Sequence, residues 1–315
     1  MTKLLLTRRF PGSIPDQASA AFDTTIRESE EGMSPDECAA ALRDYDAILA
    51  TLGDQFSAAA FEGDVRCKMI GNFGVGYNHI DVEAAQKAGV TVSNTPDVVT
   101  DATADIAMTL ILAACRRAGE GERLVRAGGW DGWTPSFMLG THVTGKTIGI
   151  IGMGRIGQAV ARRAHFGFEM PVIYFNRSVK PVDFPAVQRE TLPDVMAEAD
   201  IIVVTVPGGG ANTQLIDKDA LAAMKPTGIF VNVARGDVVD EAALIDALET
   251  RQIAGAGLDV FEKEPFVPER MRALENAVLL PHLGTSALEV REQMGQMALD
   301  NIIAWSKGET PPQAV

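Results

Sequence analysis

Gly149-Ile150-Ile151-Gly152-Met153-Gly154-Arg155-Ile156-Gly157 is the stretch on which the fold turns. It emerges from the apolar run Thr147–Ile151, which reads as a buried strand, and opens 155–166, whose apolar spacing is helical. Strand, glycine turn and helix in that order form a dinucleotide-binding fingerprint. Gly152 permits the tight turn, Gly154 lets backbone approach a pyrophosphate, and Gly157 lets the helix pack closely on the strand. The helix N-terminus then offers N–H groups and a partial positive charge to phosphates.

Working outward, Val172–Phe175 reads as the next strand and Ile201–Val206 (IIVVTV) as a buried one. Further strands are expected at Ile229–Val233, 256–260 and Val278–Leu280, with helices at about Glu241–Glu249 and 286–306. Upstream, Lys3–Leu6, Ala47–Leu52 and 68–72 read as strands, and Thr100 to about Arg117 as a helix capped by Thr100 or Asp101. Short strands apolar on both faces and alternating with helices define an α/β protein with doubly covered parallel sheets. The stretch Gly128–Gly145, rich in Gly, Trp and Pro, reads as irregular; such segments are commonly functional or interface-forming.

At 315 residues, 46% hydrophobic, the chain is long enough for about two domains with their own cores. Its 28 Lys+Arg against 42 Asp+Glu give a net charge of −14, which argues against a nucleic-acid partner. Any site for an anionic substrate must therefore supply local positive charge. Cys38, Cys67 and Cys115 have no metal-ligand spacing and read as reduced core residues, and no metal is expected. MTKLLLTRRFPG has too short an apolar run for a signal peptide. Ile106–Cys115, interrupted by Thr109, falls short of the ~20 residues of a membrane span. The expectation is a soluble cytoplasmic protein with no membrane partner.

The strand Val172–Phe175 ends in Asn176-Arg177-Ser178, where an NAD-binding chain would carry an acidic residue for the ribose hydroxyls. A carboxylate would repel a 2′-phosphate, whereas an amide, a guanidinium and a hydroxyl can bind one. Lys180 adds nearby positive charge. NADP(H) is expected to be preferred, with NAD(H) second.

GNFGVGYNHID at 71–81, GKTIGIIGMGRIG at 145–157, NVARGDVVDE at 232–241, LDVFEKEP at 258–265 and PHLGTS at 281–286 together resemble the D-isomer-specific 2-hydroxyacid dehydrogenase family. The resemblance spans nearly the whole chain. WDGWTP at 130–135 and the Asn-Arg pair resemble the glyoxylate/hydroxypyruvate reductases within it. The resemblance implies two Rossmann-like or flavodoxin-like domains with a cleft between them. A discontinuous substrate domain would comprise 1–98 and 286–315, and the NAD(P)-binding domain 99–285.

By the same resemblance, Arg235 binds the substrate carboxylate, His282 is the catalytic acid/base and Glu264 its partner. A planar permanent cation suits a 2-keto acid, and an imidazole is suited to deliver a proton as hydride arrives. Taken alone, Arg235 reads as a salt-bridge residue, Glu264 as part of a solvated charge run and His282 as a loop histidine; their motif contexts favour the catalytic roles. Val75 and Gly76 match the loop whose backbone amides face the substrate. Arg155 and Ile156 match pyrophosphate contacts, and Val206, Pro207, Thr213, Val233, Ala234 and Gly284 match the rest of the cofactor pocket. Asp259 matches the acceptor for the nicotinamide carboxamide, although an Asp capping a turn gives the same sequence signal. Trp133 matches a residue that reaches the partner subunit's site, or only anchors the interface, in a homodimer whose arm would be Gly128–Gly145.

The implied activity is NADPH-dependent reduction of glyoxylate and hydroxypyruvate to D-2-hydroxy acids. Two alternatives stay open: a bulkier 2-oxo acid, and a catalytically silent dinucleotide-sensing binding protein on the same fold. Two features depart from the family's pattern. Gly208-Gly209-Gly210 after Pro207 suggests a more mobile loop, and 167–171 suggests a longer connection than usual.

Overall fold

The computed structural model describes residues 1–315, which form two compact units: Met1–Val99 with Thr285–Val315, and Thr100–Gly284. In the first unit, β1 (Lys3–Leu6), β2 (Asp23–Ile26), β3 (Ala47–Thr51), β4 (Met69–Phe73) and β5 (Thr91–Ser93) make one parallel sheet in the order β2-β1-β3-β4-β5. Sequence reading did not single out β2 and β5. The first is a half-exposed edge strand of sequence DTTI and the second has only three residues, so neither carries a buried-strand pattern. Helix Leu288–Ser306 returns to this unit. Its Ala298, Leu299 and Ile302, spaced to share one helical face, pack with Leu4, Leu6, Leu49 and Met69.

The second unit has seven parallel strands: β6 (Ile148–Ile151), β7 (Val172–Phe175), β8 (Ala186–Gln188), β9 (Ile201–Val204), β10 (Ile229–Asn232), β11 (Gly255–Leu258) and β12 (Ala277–Leu279). Every residue of β6, β9, β10 and β11 is buried, because helices cover both faces. Alternation along β9 divides the core: Ile202 and Val204 join Phe230, Leu244 and Leu258, whereas Ile201 and Val203 join Ile148, Ile150, Leu110 and Ile111. Each such aliphatic side chain contributes about 1.5–3 kcal/mol through burial.

The strand order is β12-β11-β10-β9-β6-β7-β8, so the chain runs outward from β6 and later restarts on its other side at β9. Loops leaving β6 and β9 therefore diverge at their C-terminal ends and open the crevice where doubly wound sheets take ligands. The Arg155–Phe168 helix runs two residues past the expected 166 and ends at Glu169 in a left-handed conformation, so its connection to β7 is short rather than long. No helix or strand is formed between Arg126 and Ile148. No helix is long and apolar enough to cross a membrane.

Candidate active site

The glycine turn sits at the end of β6. Gly152 has φ +99°, and a Cβ there would lie 2.7 Å from the Val206 side chain, so only glycine lets the loops leaving β6 and β9 approach this closely. Gly154 is the N-cap of the Arg155–Phe168 helix and contributes no side-chain cap. No atom lies within 4 Å of the position its Cβ would occupy, so the helix N-terminus faces open space. That space and those N–H groups fit a dinucleotide pyrophosphate. Thr205, which sequence reading passed over, fixes the turn by donating its hydroxyl to the Gly152 carbonyl at 2.6 Å. Its signal was a lone hydroxyl residue ending the apolar run IIVV.

At the end of β7, Asn176 is a brace. Its Oδ1 accepts the Met153 N–H at 3.1 Å, and its Nδ2 donates to the Ser178 carbonyl at 2.8 Å. It thereby ties the glycine turn to the neighbouring loop. Arg177 and Ser178 are exposed, and the guanidinium of Arg177 makes no ion pair.

The loop leaving β10 carries Arg235. Asn232, buried at the strand end, accepts the Ala234 N–H at 3.0 Å and donates to the Arg235 carbonyl at 2.9 Å, shaping the turn. The half-buried Arg235 spends one N–H on the Ala234 carbonyl, at 2.7 Å, and has no ion-pair partner. Burial pushes its guanidinium pKa down, against the opposing influence of the Glu264 and Asp237 charges. Asp237 accepts the Gly209 N–H at 2.7 Å, and its carbonyl accepts that of Gln214 at 2.8 Å. The triglycine loop is thus gripped on both sides, and Asn212 adds a bond to the Pro207 carbonyl. Asp237 thus supplies the loop with an anchor that glycine side chains cannot.

His282 and Glu264 meet beyond the ends of β12 and β11. Nδ1 of His282 is 2.7 Å from Glu264 Oε2, and Glu264 Oε1 accepts the Phe261 N–H at 3.1 Å. Burial pushes the Glu264 carboxyl up, but the His282 hydrogen bond and charge, the Phe261 N–H and Arg235 outweigh it and hold the group below its usual range. His282 has φ +54°, a left-handed conformation that costs a non-glycine residue about 1–2 kcal/mol. Asp259 holds it there. Its carbonyl takes the His282 N–H at 2.9 Å, while Oδ1 and Oδ2 take those of Leu283 and Gly284 at 2.6 and 2.8 Å. At 1% exposure, Asp259 spends its carboxylate on this turn; burial raises its pKa despite those N–H bonds.

Arg235, Glu264, His282, Asp259 and Gly284 thus all belong to the C-terminal edge of one sheet. So do Gly152–Gly157 and Asn176–Ser178, together with Val206, Pro207 and Thr213 after β9 and Val233 and Ala234 after β10. Val75 and Gly76 lie in the first unit, on the loop leaving β4, and Trp133 is 77% exposed in the irregular stretch.

A crevice built for a dinucleotide, edged by a histidine–carboxylate pair and an unneutralised arginine, defines a nicotinamide-dependent oxidoreductase. Residues 108–284 match the family described as D-isomer specific 2-hydroxyacid dehydrogenase, NAD binding domain. The glyoxylate reductase of Thermococcus onnurineus is 42% identical over 319 residues, spanning 99% of this chain and 95% of its own. A Thermus thermophilus protein of known structure superposes with a TM-score of 0.92 at 36% identity, covering 99% of both chains. The NADPH-dependent glyoxylate/hydroxypyruvate reductase of Sinorhizobium meliloti, solved with NADP and malonate, has a TM-score of 0.90 at 32% identity, covering 100% of this chain and 96% of that one. The chain belongs to the D-isomer-specific 2-hydroxyacid dehydrogenase family and is an NAD(P)-dependent oxidoreductase.

Proposed function

We propose that this enzyme reduces small 2-oxo acids, glyoxylate and hydroxypyruvate foremost, to D-2-hydroxy acids, with NADPH preferred over NADH. The observation that carries the reading is the half-buried Arg235, which lacks any ion-pair partner although Glu264 and Asp237 act on its charge. A cation held in that state has unused N–H donors for a carboxylate and its adjacent carbonyl oxygen. The bound nicotinamide dinucleotide supplies the hydride. Nε2 of His282 gives a proton to the carbonyl oxygen, Glu264 orients the ring through Nδ1, and Asp259 fixes the backbone that carries it. In the oxidative direction the same Nε2 takes the hydroxyl proton.

Backbone N–H groups of Val75 and Gly76 are assigned to the substrate carboxylate, and Arg177 with Ser178 to the 2′-phosphate. A small substrate agrees with the names of the glyoxylate reductases that resemble the chain throughout. The exposed Trp130, Trp133 and Leu139 support a homodimer in which this irregular stretch docks on a second copy and Trp133 reaches the partner subunit's site. The test is nicotinamide absorbance with glyoxylate, hydroxypyruvate and larger 2-oxo acids, using NADPH and NADH in parallel. Fast NADPH oxidation with the small acids is expected. A preference for NADH overturns the phosphate role of Arg177, and binding of both cofactors without turnover of any acid overturns the reductase.

A further inference from the structure

We propose that Asn72 and Asn94 are positioning residues for the substrate carboxylate: they pin the carbonyls of the Gly74–Gly76 loop and so turn three consecutive N–H groups the other way. The proposal rests on the assignment of that loop to the carboxylate. Asn72 is the penultimate residue of β4 and is fully buried. The two hydrogens of its Nδ2 go to the Gly74 carbonyl at 3.0 Å and the Gly76 carbonyl at 3.1 Å. Asn94 Nδ2 takes the carbonyl between them, that of Val75, at 2.9 Å, and the Thr95 N–H adds a second bond to Gly74 at 3.0 Å.

In a trans peptide the C=O and N–H of one unit point in opposite directions, and the chain's only cis peptide is Glu264–Pro265. Holding the carbonyls of residues 74, 75 and 76 therefore aims the N–H groups of Val75, Gly76 and Tyr77 away from the two asparagines. None of these three N–H groups has a hydrogen-bond acceptor in the protein, and Val75 and Tyr77 are exposed. Successive unpaired amides of this kind form an anion-binding concavity. They supply local positive potential without a charged side chain, as a chain of net charge −14 requires for an anionic substrate.

Two features separate this arrangement from ordinary loop packing. Oδ1 of Asn72 is buried without a partner, a costly state that the fold tolerates while both N–H donors are spent on the loop. Asn94 is itself held from behind: its N–H donates to the Gln313 carbonyl at 3.2 Å, and Gln313 exchanges two bonds with the buried Asn301.

The test uses Asn94, which is only half-buried, so that folding survives substitution. Steady-state kinetics of the full-length wild type, Asn94→Ala and Asn94→Asp are measured with glyoxylate and with glycolaldehyde, a comparably small aldehyde without the carboxylate. Loss of one neutral hydrogen bond predicts a glyoxylate KM about 3- to 10-fold higher in Asn94→Ala. Asn94→Asp should lose more, because its carboxylate oxygens face the Val75 carbonyl. The preference for glyoxylate over glycolaldehyde should fall in the same order while the KM for NADPH holds. An unchanged glyoxylate KM in a wild-type background that reduces glyoxylate overturns the positioning role alone. Equal losses on both aldehydes overturn it in favour of a purely structural role. A wild type that reduces no 2-oxo acid overturns the underlying assignment, and the proposal with it.

Discussion

Nδ1 of His282 lies 2.7 Å from Oε2 of Glu264, which leaves Nε2 as the ring nitrogen not engaged by that carboxylate. Replacing the carboxylate by an amide keeps an acceptor for Nδ1 but removes the negative charge beside the ring. Glu264→Gln should lower reductive kcat by about 10²-fold, in line with what a positioned acid contributes. A wild-type kcat in Glu264→Gln would argue against any role for the carboxylate. Glu264 also bears on stability. Its folded-state pKa lies below the usual carboxylate range, so its stabilising contribution is present above that range and is lost as pH falls through the folded value. Thermal unfolding across the acid range should be less pH-dependent in Glu264→Gln than in the wild type.

In its proposed role Arg235 would hold the substrate acid through a planar fork, which a single ammonium group cannot replace. Arg235→Lys should raise the KM for a 2-oxo acid by about 10- to 100-fold, the scale of a lost charge-assisted bond. The KM for the dinucleotide should change little. Titrating each ligand separately tests this, and equal weakening of both would move Arg235 from substrate binding to general support of the loop.

The parallel α/β architecture was legible because burial on both faces writes itself as runs such as Ile201–Val204 and Ile229–Val231. Edge strands left no such trace: β8, of sequence AVQ, is only partly buried. Motifs pointed to His282, Glu264 and Arg235, but not to the residues that brace the loops leaving β6 and β9. Asp237 and Thr205 act through contacts to the backbone of Gly209 and Gly152, groups distant from them in sequence. No periodicity or local spacing encodes such contacts. Asn176 likewise bonds Met153 and Ser178 through its side chain, contacts its sequence position did not announce.

With the Asn176 side chain bonded to the glycine turn, the proposed recognition of a 2′-phosphate at this loop falls mainly to Arg177. Its guanidinium is exposed and has no ion-pair partner, so removing it breaks nothing in the protein. Arg177→Ala should reduce kcat/KM for NADPH by about 10- to 100-fold and leave that for NADH nearly unchanged. Equal efficiency losses with both cofactors would point to damage to the loop rather than to phosphate binding.

Gly236 sets how closely the Arg235 loop approaches the loop that carries Glu264. A Cβ on Gly236 would lie 1.9 Å from the carbonyl carbon of Phe261 and 2.0 Å from its oxygen, distances no side-chain rotation can relieve because the obstacle is backbone. Phe261 is also the residue whose N–H binds Glu264 Oε1, so pushing it aside disturbs the partner of His282 directly. Gly236→Ala should therefore cost stability on the overpacking scale, about 1–3 kcal/mol or more, read from the midpoint of denaturant unfolding. It should also lower kcat in the fraction that remains folded, because the Glu264 carboxylate loses its second support. The proposed pyrophosphate site is on the loops after β6 and β9, so the dissociation constant for NADPH should change far less than kcat. If Gly236→Ala instead retains wild-type turnover with only a lower unfolding midpoint, the Phe261 backbone has moved without carrying Glu264 along. The His282–Glu264 pair would then be independent of the Arg235 loop.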